Sequence, residues 1–232
     1  MVNLLKSEFY KLFHSRSFWG IGLFNLFLSS VLLLDSKSVT ANLLLASLYN
    51  IPLLYFLTIV FNALFVGDDF GKRTLHSYVN AGQKRGTILF TKALVYQAAC
   101  ILILVFPLCV HSLFGVFVLK ESIVFTEGIF ITGVVILMGI AAMCILPFFF
   151  AFLFRDMGRT LAIPMILFFL MIFLLNGGKA QTIGTILPMG QLRLVSLQQF
   201  PVSGVAFAGI DFVWVSVLYL MAYFVFRRSD LK

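Results

Sequence analysis

Residues 129–154 read IFITGVVILMGIAAMCILPFFFAFLF, an unbroken run without a charged side chain that ends at Arg155. A helix of this length, at ~1.5 Å per residue, spans roughly 39 Å, enough to cross the ~30 Å hydrocarbon core of a bilayer. Working outward, comparable apolar runs occur at Phe18 to Leu34, Ser47 to Val66, Ile88 to Val118, Thr160 to Leu175 and Val205 to Phe226. Composition agrees: 61% of the 232 residues are hydrophobic, only 11% are charged, 28 are Phe, and mean hydropathy is +1.06. An average soluble chain carries roughly 25% charged residues. The expectation is therefore an all-α membrane protein, one transmembrane domain over 1–232 with six spanning helices and no separate globular domain.

The charges flank the runs, so a net +8 does not signal nucleic-acid binding. Lys6, Lys11, Arg16, Lys72, Arg73, Lys84, Arg85, Lys92, Arg155, Arg159, Arg227, Arg228 and Lys232 fall on one side of the alternating spans; Lys37, Lys120, Lys179 and Arg193 fall on the other. Cytoplasmic loops are the basic ones, which predicts both termini in the cytoplasm. The first run lacks a small-residue cleavage site after Leu34 and five spans come after it, so it reads as a retained helix. Cys100, Cys109 and Cys144 lie in apolar stretches and read as small core residues.

Polar features inside the runs have plain readings beside functional ones. Pro147 and Pro164 bend their helices, for packing or as a pathway wall. His111, near the outer end of span three, reads as structural, and Asp211 as a cap or snorkelling group at the start of span six. No charge falls at a predicted midplane, which argues against ion-coupled transport and intramembrane proteolysis. Three His and three Glu are scattered, so no catalytic or metal site is expected. Gly67-Asp-Asp-Phe-Gly71-Lys72 has three residues between its glycines where a phosphate-binding loop needs four, and it comes after a membrane helix. Any ATP must be bound by a partner chain.

Three segments outside the spans carry more. In residues 1–16, Leu5, Phe9, Leu12 and Phe13 share a helical face, as in a helix lying in the membrane interface. The basic loop 67–87 mixes charge with Phe70, Leu75, Tyr78 and Val79; Phe70, Thr74, Ser77 and Tyr78 at helical intervals suggest a partner-facing surface. Its plainer reading is that the charges set topology and meet anionic lipid. The tail reads Phe226-Arg-Arg-Ser-Asp-Leu231.

An acidic-then-basic N-terminal helix, six spans, the loop Asp69-Phe-Gly-Lys-Arg-Thr74 with Gly82-x-x-Arg85 and Lys92 beyond it, and that tail together resemble the permease subunit of ABC-2 type transporters, of the bacterial lantibiotic-immunity and peptide-exporter kind. The similarity covers essentially the whole chain. It implies a bacterial plasma-membrane half-transporter that pairs with a second permease, identical or homologous, and with two ATP-binding subunits that hold ATP and Mg. It implies a coupling helix against the ATPase, drawn from Asp68, Asp69, Phe70, Lys72, Arg73, Thr74, Ser77 and Tyr78, with Phe70 and Tyr78 as anchors. Short extracellular or re-entrant elements would occupy 176–204. Lys72-Arg73 stand where the family usually has about one residue before Thr74, which leaves the helix register open. An apolar, aromatic bundle suits an amphipathic peptide, such as a phenol-soluble-modulin-like cytolysin or a lantibiotic; drug, ion or polysaccharide efflux, and a non-transporting sensor or assembly protein, stay open.

Overall fold

The computed structural model describes residues 2–36, 40, 42–121, 128–178 and 180–229, and every element within them is helical. Lys37, Lys179 and the tail from Asp230 to Lys232, which the charge count and tail motif use, lie outside the described residues. The helices are α1 (Val2–Phe13), α2 (Arg16–Ser36), α3 (Leu43–Asn62), α4 (Asp68–Gly71), α5 (Thr74–Asn80), α6 (Arg85–Phe117), α7 (Ile129–Phe154), α8 (Met157–Leu175), α9 (Ala180–Ile186), α10 (Pro188–Ser196) and α11 (Gly204–Arg228). A π-helical turn at Ala63–Gly67 joins α3 to α4 without a break. Among the described residues six helices are long and apolar enough to cross a membrane: α2, the continuous Leu43–Gly71, α6, α7, α8 and α11. The chain is a multi-pass membrane protein of six such helices.

Every apolar run is helical, and the helices extend past the runs at most ends; at α3, α8 and α11 a capping side chain lies just outside the run. Asn42 Oδ1 accepts from Leu45 N at 3.1 Å, and Asp156 Oδ1 accepts from Arg159 N at 2.8 Å. These caps satisfy donors that the first helical turn leaves free. The second span reaches Gly71 rather than Val66, so the start of the expected loop 67–87 is helix that continues the span. The 176–204 segment holds α9 and α10, which meet so closely that a Cβ on Gly190 would sit 2.4 Å from the Gly184 Cα. Only glycine allows that crossing.

Two helix-interior prolines are matched by donors from neighbouring helices. Pro107 has no N–H for the carbonyl of Ile103 one turn back, and Asn25 Nδ2 of α2 donates to that oxygen at 2.6 Å. Pro147 likewise frees the carbonyl of Met143, which accepts from the Tyr55 hydroxyl of α3 at 2.8 Å. In hydrocarbon an orphaned carbonyl has no water to turn to, so these contacts fix which helix lies beside each bend. His111 is held between Ser30 Oγ and Ser47 Oγ, each at 3.0 Å, tying α6 to α2 and α3. The second span is the most enclosed of the six, while α2, α8 and α11 present large apolar faces outward. Cys100 and Cys144 are buried as expected; Cys109 is exposed, because its side of α6 faces away from the bundle.

Candidate functional site

The strongest concentration of charge among the described residues is buried at the end of the bundle where α1, α4, α5 and the start of α6 meet. Lys92 Nζ of α6 contacts Glu8 Oε2 of α1 at 2.5 Å and also pairs with Asp69 Oδ2 of α4. Lys11 pairs with the other Asp69 oxygen. Glu8, Asp69 and Lys92 have side chains about 1% exposed, and Lys11 is 38% exposed. Two carboxylates thus face two ammonium groups with no net charge left over, the condition under which buried ions are tolerated. Both ammonium groups lie 5.1 Å from the Phe65 ring centre, adding a cation–π contact to each.

The π-helical turn sets this geometry. One extra residue in the turn rotates the helix beyond it, and Asp69, next to the half-exposed Asp68, faces inward and is fully enclosed. Tyr78 of α5 closes the cluster by donating to Glu8 Oε1 at 2.9 Å. Burial, and then the neighbouring Glu8 charge, push the Tyr78 phenol up to about 12. The four elements are therefore linked through one set of ionic and hydrogen bonds.

The eight expected coupling residues divide into two groups. Phe70 packs edge-on to Phe152 at 5.3 Å between ring centres, while Asp69 and Tyr78 bind the chain's own α1 and α6. The Phe70 and Tyr78 anchors thus point into this protein. Lys72, Arg73 and Ser77 are exposed, and Asp68 and Thr74 are half-exposed. Lys72 Nζ pairs with Asp68 Oδ2 at 2.6 Å, and that partner raises the ammonium pKa above its ordinary value. The stretch from Asp68 to Tyr78, which the resemblance assigns to one coupling helix, holds two short helices, α4 and α5. Arg73 takes φ 55° and separates α4 from α5, a left-handed conformation that a non-glycine residue adopts only where its surroundings demand it.

Arg85 does not extend this surface. Its Nη1 donates to the carbonyls of Phe226, Arg227 and Ser229 at 3.1, 2.9 and 2.6 Å, closing the C-terminal end of α11. Lys92 is not a loop residue either: it lies two turns inside α6 and is buried. Ile88, Leu89 and Phe90 precede it in sequence, and that apolar stretch is the signal that it sits within the span.

Asp211 is the second departure. Ser203 caps α11, accepting from Ala206 N at 3.4 Å, so the expected capping role belongs to a residue two turns earlier. Asp211 is fully enclosed, neither carboxylate oxygen has a hydrogen-bond partner among the described residues, and it faces the Cβ-less surface of Gly139 on α7 beside Leu192 of α10. Asp211 lies about two turns into α11, short of its middle, yet it is enclosed by neighbouring helices instead of snorkelling to the surface.

Among the described residues no group of three or more His, Cys, Asp and Glu is arranged to hold a metal ion. No protein-family model matches the chain, and no curated protein matches it in sequence.

Proposed function

We propose that this chain is the permease subunit of an ATP-driven ABC-2 type exporter in a bacterial plasma membrane, working with a second permease and two ATP-binding subunits, its termini cytoplasmic. The observation that carries the reading is the Glu8–Lys92–Asp69–Lys11 cluster behind the exposed face of α4 and α5. A helix that receives force from a motor must transmit it. Through Tyr78 and Glu8, displacement of α5 pulls on α1; through Asp69 and Lys92 it pulls on α4 and α6. The motor contact is then polar, made by Lys72, Arg73 and Ser77, with Thr74 at its edge, and the aromatic residues behind it transmit rather than dock. The cargo that suits this apolar bundle is an amphipathic peptide; drug, ion or polysaccharide efflux is the alternative within the class.

Purification from the native membrane in mild detergent is expected to recover a nucleotide-binding subunit with the chain. In reconstituted vesicles an amphipathic peptide should stimulate ATP hydrolysis more than a scrambled peptide of equal charge. A chain recovered repeatedly without an ATPase would favour a sensor or assembly protein. Equal responses to the two peptides would remove the peptide cargo while leaving the permease assignment intact.

A further inference from the structure

At the end of the bundle remote from Glu8, a cleft of about 250 Å³ opens between α2, α3, α8 and α10. Its polar lining comes from Asp35, Ser36, Tyr49, Asn50, Asn176 and Arg193. The Arg193 guanidinium lies 5.5 Å from the Tyr49 ring centre, and its Nη1 donates to Leu175 O at 3.1 Å and Asn176 Oδ1 at 2.9 Å. It forms no ion pair among the described residues, and its remaining N–H groups have no hydrogen-bond partner there. Lys92, by contrast, is met by two carboxylates. Arg193 is a planar, fork-shaped donor held against an aromatic face in an open cleft, an arrangement suited to a phosphate or carboxylate.

The lining is ordered by depth. Ser36 ends α2 and Leu32 lies one turn further in; Asn176 caps the end of α8 and Ile172 lies one turn further in; Asn50 is near the start of α3 and Leu53 lies one turn deeper. Each of the three helices thus sets a polar residue about one turn from an apolar one; Ser36 and Asn50 are buried and bonded to each other at 2.9 Å, while Asn176 and Asp35 are exposed at the opening. That is the polarity profile of an amphiphile whose headgroup sits at the rim. Size restricts the choice further. About 250 Å³ lies just under the ~300–1,000 Å³ typical of sites that enclose a drug-sized molecule, so the cleft takes a headgroup and not a helical peptide. Asp35, exposed at the same rim and with an interaction of its own, is an acceptor, which favours a headgroup whose far end carries hydroxyl or ammonium donors.

We infer that this cleft seats the headgroup of a phospholipid, its phosphodiester on Arg193 and a donor-bearing glycerol or ethanolamine end toward Asp35. The inference is independent of the export reading, because it requires no ATPase and no cargo.

The test uses the full chain in vesicles containing equal parts of phosphatidylglycerol, phosphatidylethanolamine and phosphatidylcholine, with gentle extraction and a count of retained lipids by native mass spectrometry. Choline carries no N–H or O–H donor, so the first two lipids are expected to exceed the third by about tenfold, the value of one good charge-assisted contact. Arg193→Gln should lower retention of all three lipids, since each carries the phosphodiester, and Arg193→Lys should keep part of it. Arg193 also holds the end of α8, so Leu53→Trp, which fills the cleft and leaves those bonds intact, is the second variant and should abolish retention. Unchanged retention in both Arg193→Gln and Leu53→Trp, or equal retention of all three lipids by the wild type, overturns the inference. Displacement of lipid by millimolar soluble glycerol phosphate would reassign the cleft to a free organic phosphate and overturn the lipid source.

Discussion

Lys92 Nζ lies 2.5 Å from Glu8 Oε2, joining residues 84 positions apart at a point where both side chains are about 1% exposed. One ammonium holds the N-terminal helix onto the third span. Its removal leaves Glu8 and Asp69 enclosed with only the partly exposed Lys11 to balance them. Lys92→Met is therefore expected to destabilise the bundle by ~3–5 kcal/mol, as breaking buried pairs does elsewhere. Lys11→Met, at the wetter edge of the cluster, should cost clearly less. Thermal unfolding in detergent, monitored by circular dichroism, measures both; equal losses would show that the cluster's enclosed centre carries no special weight.

Asn25 and Pro107 give a coupled prediction. Asn25→Ala strands the Ile103 carbonyl that Pro107 leaves free, which should cost ~1–3 kcal/mol. In a Pro107→Ala background the helix supplies its own N–H to that oxygen, so the same Asn25→Ala change should cost less. A double-mutant cycle reads the difference. Additive effects would mean that Asn25 is held there by packing alone.

Tyr78 carries a pH dependence with a definite sign. Its phenol is raised from an ordinary 10 to about 12 in the folded protein, by burial and by Glu8. A group whose pKa is raised on folding contributes stability that is complete below the unfolded value and is lost as pH climbs through the folded one. The wild type should accordingly lose stability between about pH 10 and 12, and Tyr78→Phe should lose less over that window. The tyrosinate absorbance difference between the two proteins should titrate near the upper end. A Tyr78 midpoint near 10 would mean that the Glu8 contact is open in solution.

Asp211 predicts a gain. Replacing an enclosed carboxylate that has no partner among the described residues by Leu, its closest apolar counterpart in shape, removes a desolvation penalty, and stability should rise by ~1–3 kcal/mol. If transport or ATPase coupling falls in the same variant, the acid is retained for activity at the expense of stability. A stability loss would show that the carboxylate is satisfied by solvent or lipid in the membrane.

On the proposed permease reading, Lys72→Glu and Arg73→Glu at the exposed face of α4 and α5 should slow association with an ATP-binding subunit in a salt-dependent way, since solvated charges act chiefly on encounter rate. Phe70→Ala should instead act through lost packing on Phe152, lowering stability while leaving the salt dependence alone. Surface-plasmon binding at two ionic strengths separates the two. Salt-sensitive binding lost only in Phe70→Ala would return the docking role to the aromatic residue.

The sequence by itself determined the number of spans, their order and the all-helical class. Long uncharged runs such as 129–154 read as helices because backbone N–H and C=O groups in lipid need internal partners, which a helix supplies within its own segment except where a proline frees a carbonyl such as that of Met143. It also placed the cytoplasmic-type charge near Asp68 to Tyr78, because those residues interrupt the apolar pattern. Tertiary structure alone decided which charges belong to a surface. Lys92 and Arg85 are basic residues of the same stretch, yet one pairs with Glu8 inside the bundle and the other closes α11. Asp68 and Asp69 are neighbours in sequence, and a π-helical turn sends only Asp69 inward. Hydrophobic length is a one-dimensional property that a chain reveals residue by residue, whereas the partner of a charge depends on helix rotation and on contacts between segments far apart. For that reason the spans were legible in the sequence, while the Glu8 cluster, the unpartnered Asp211 and the Arg193 cleft were decided by packing.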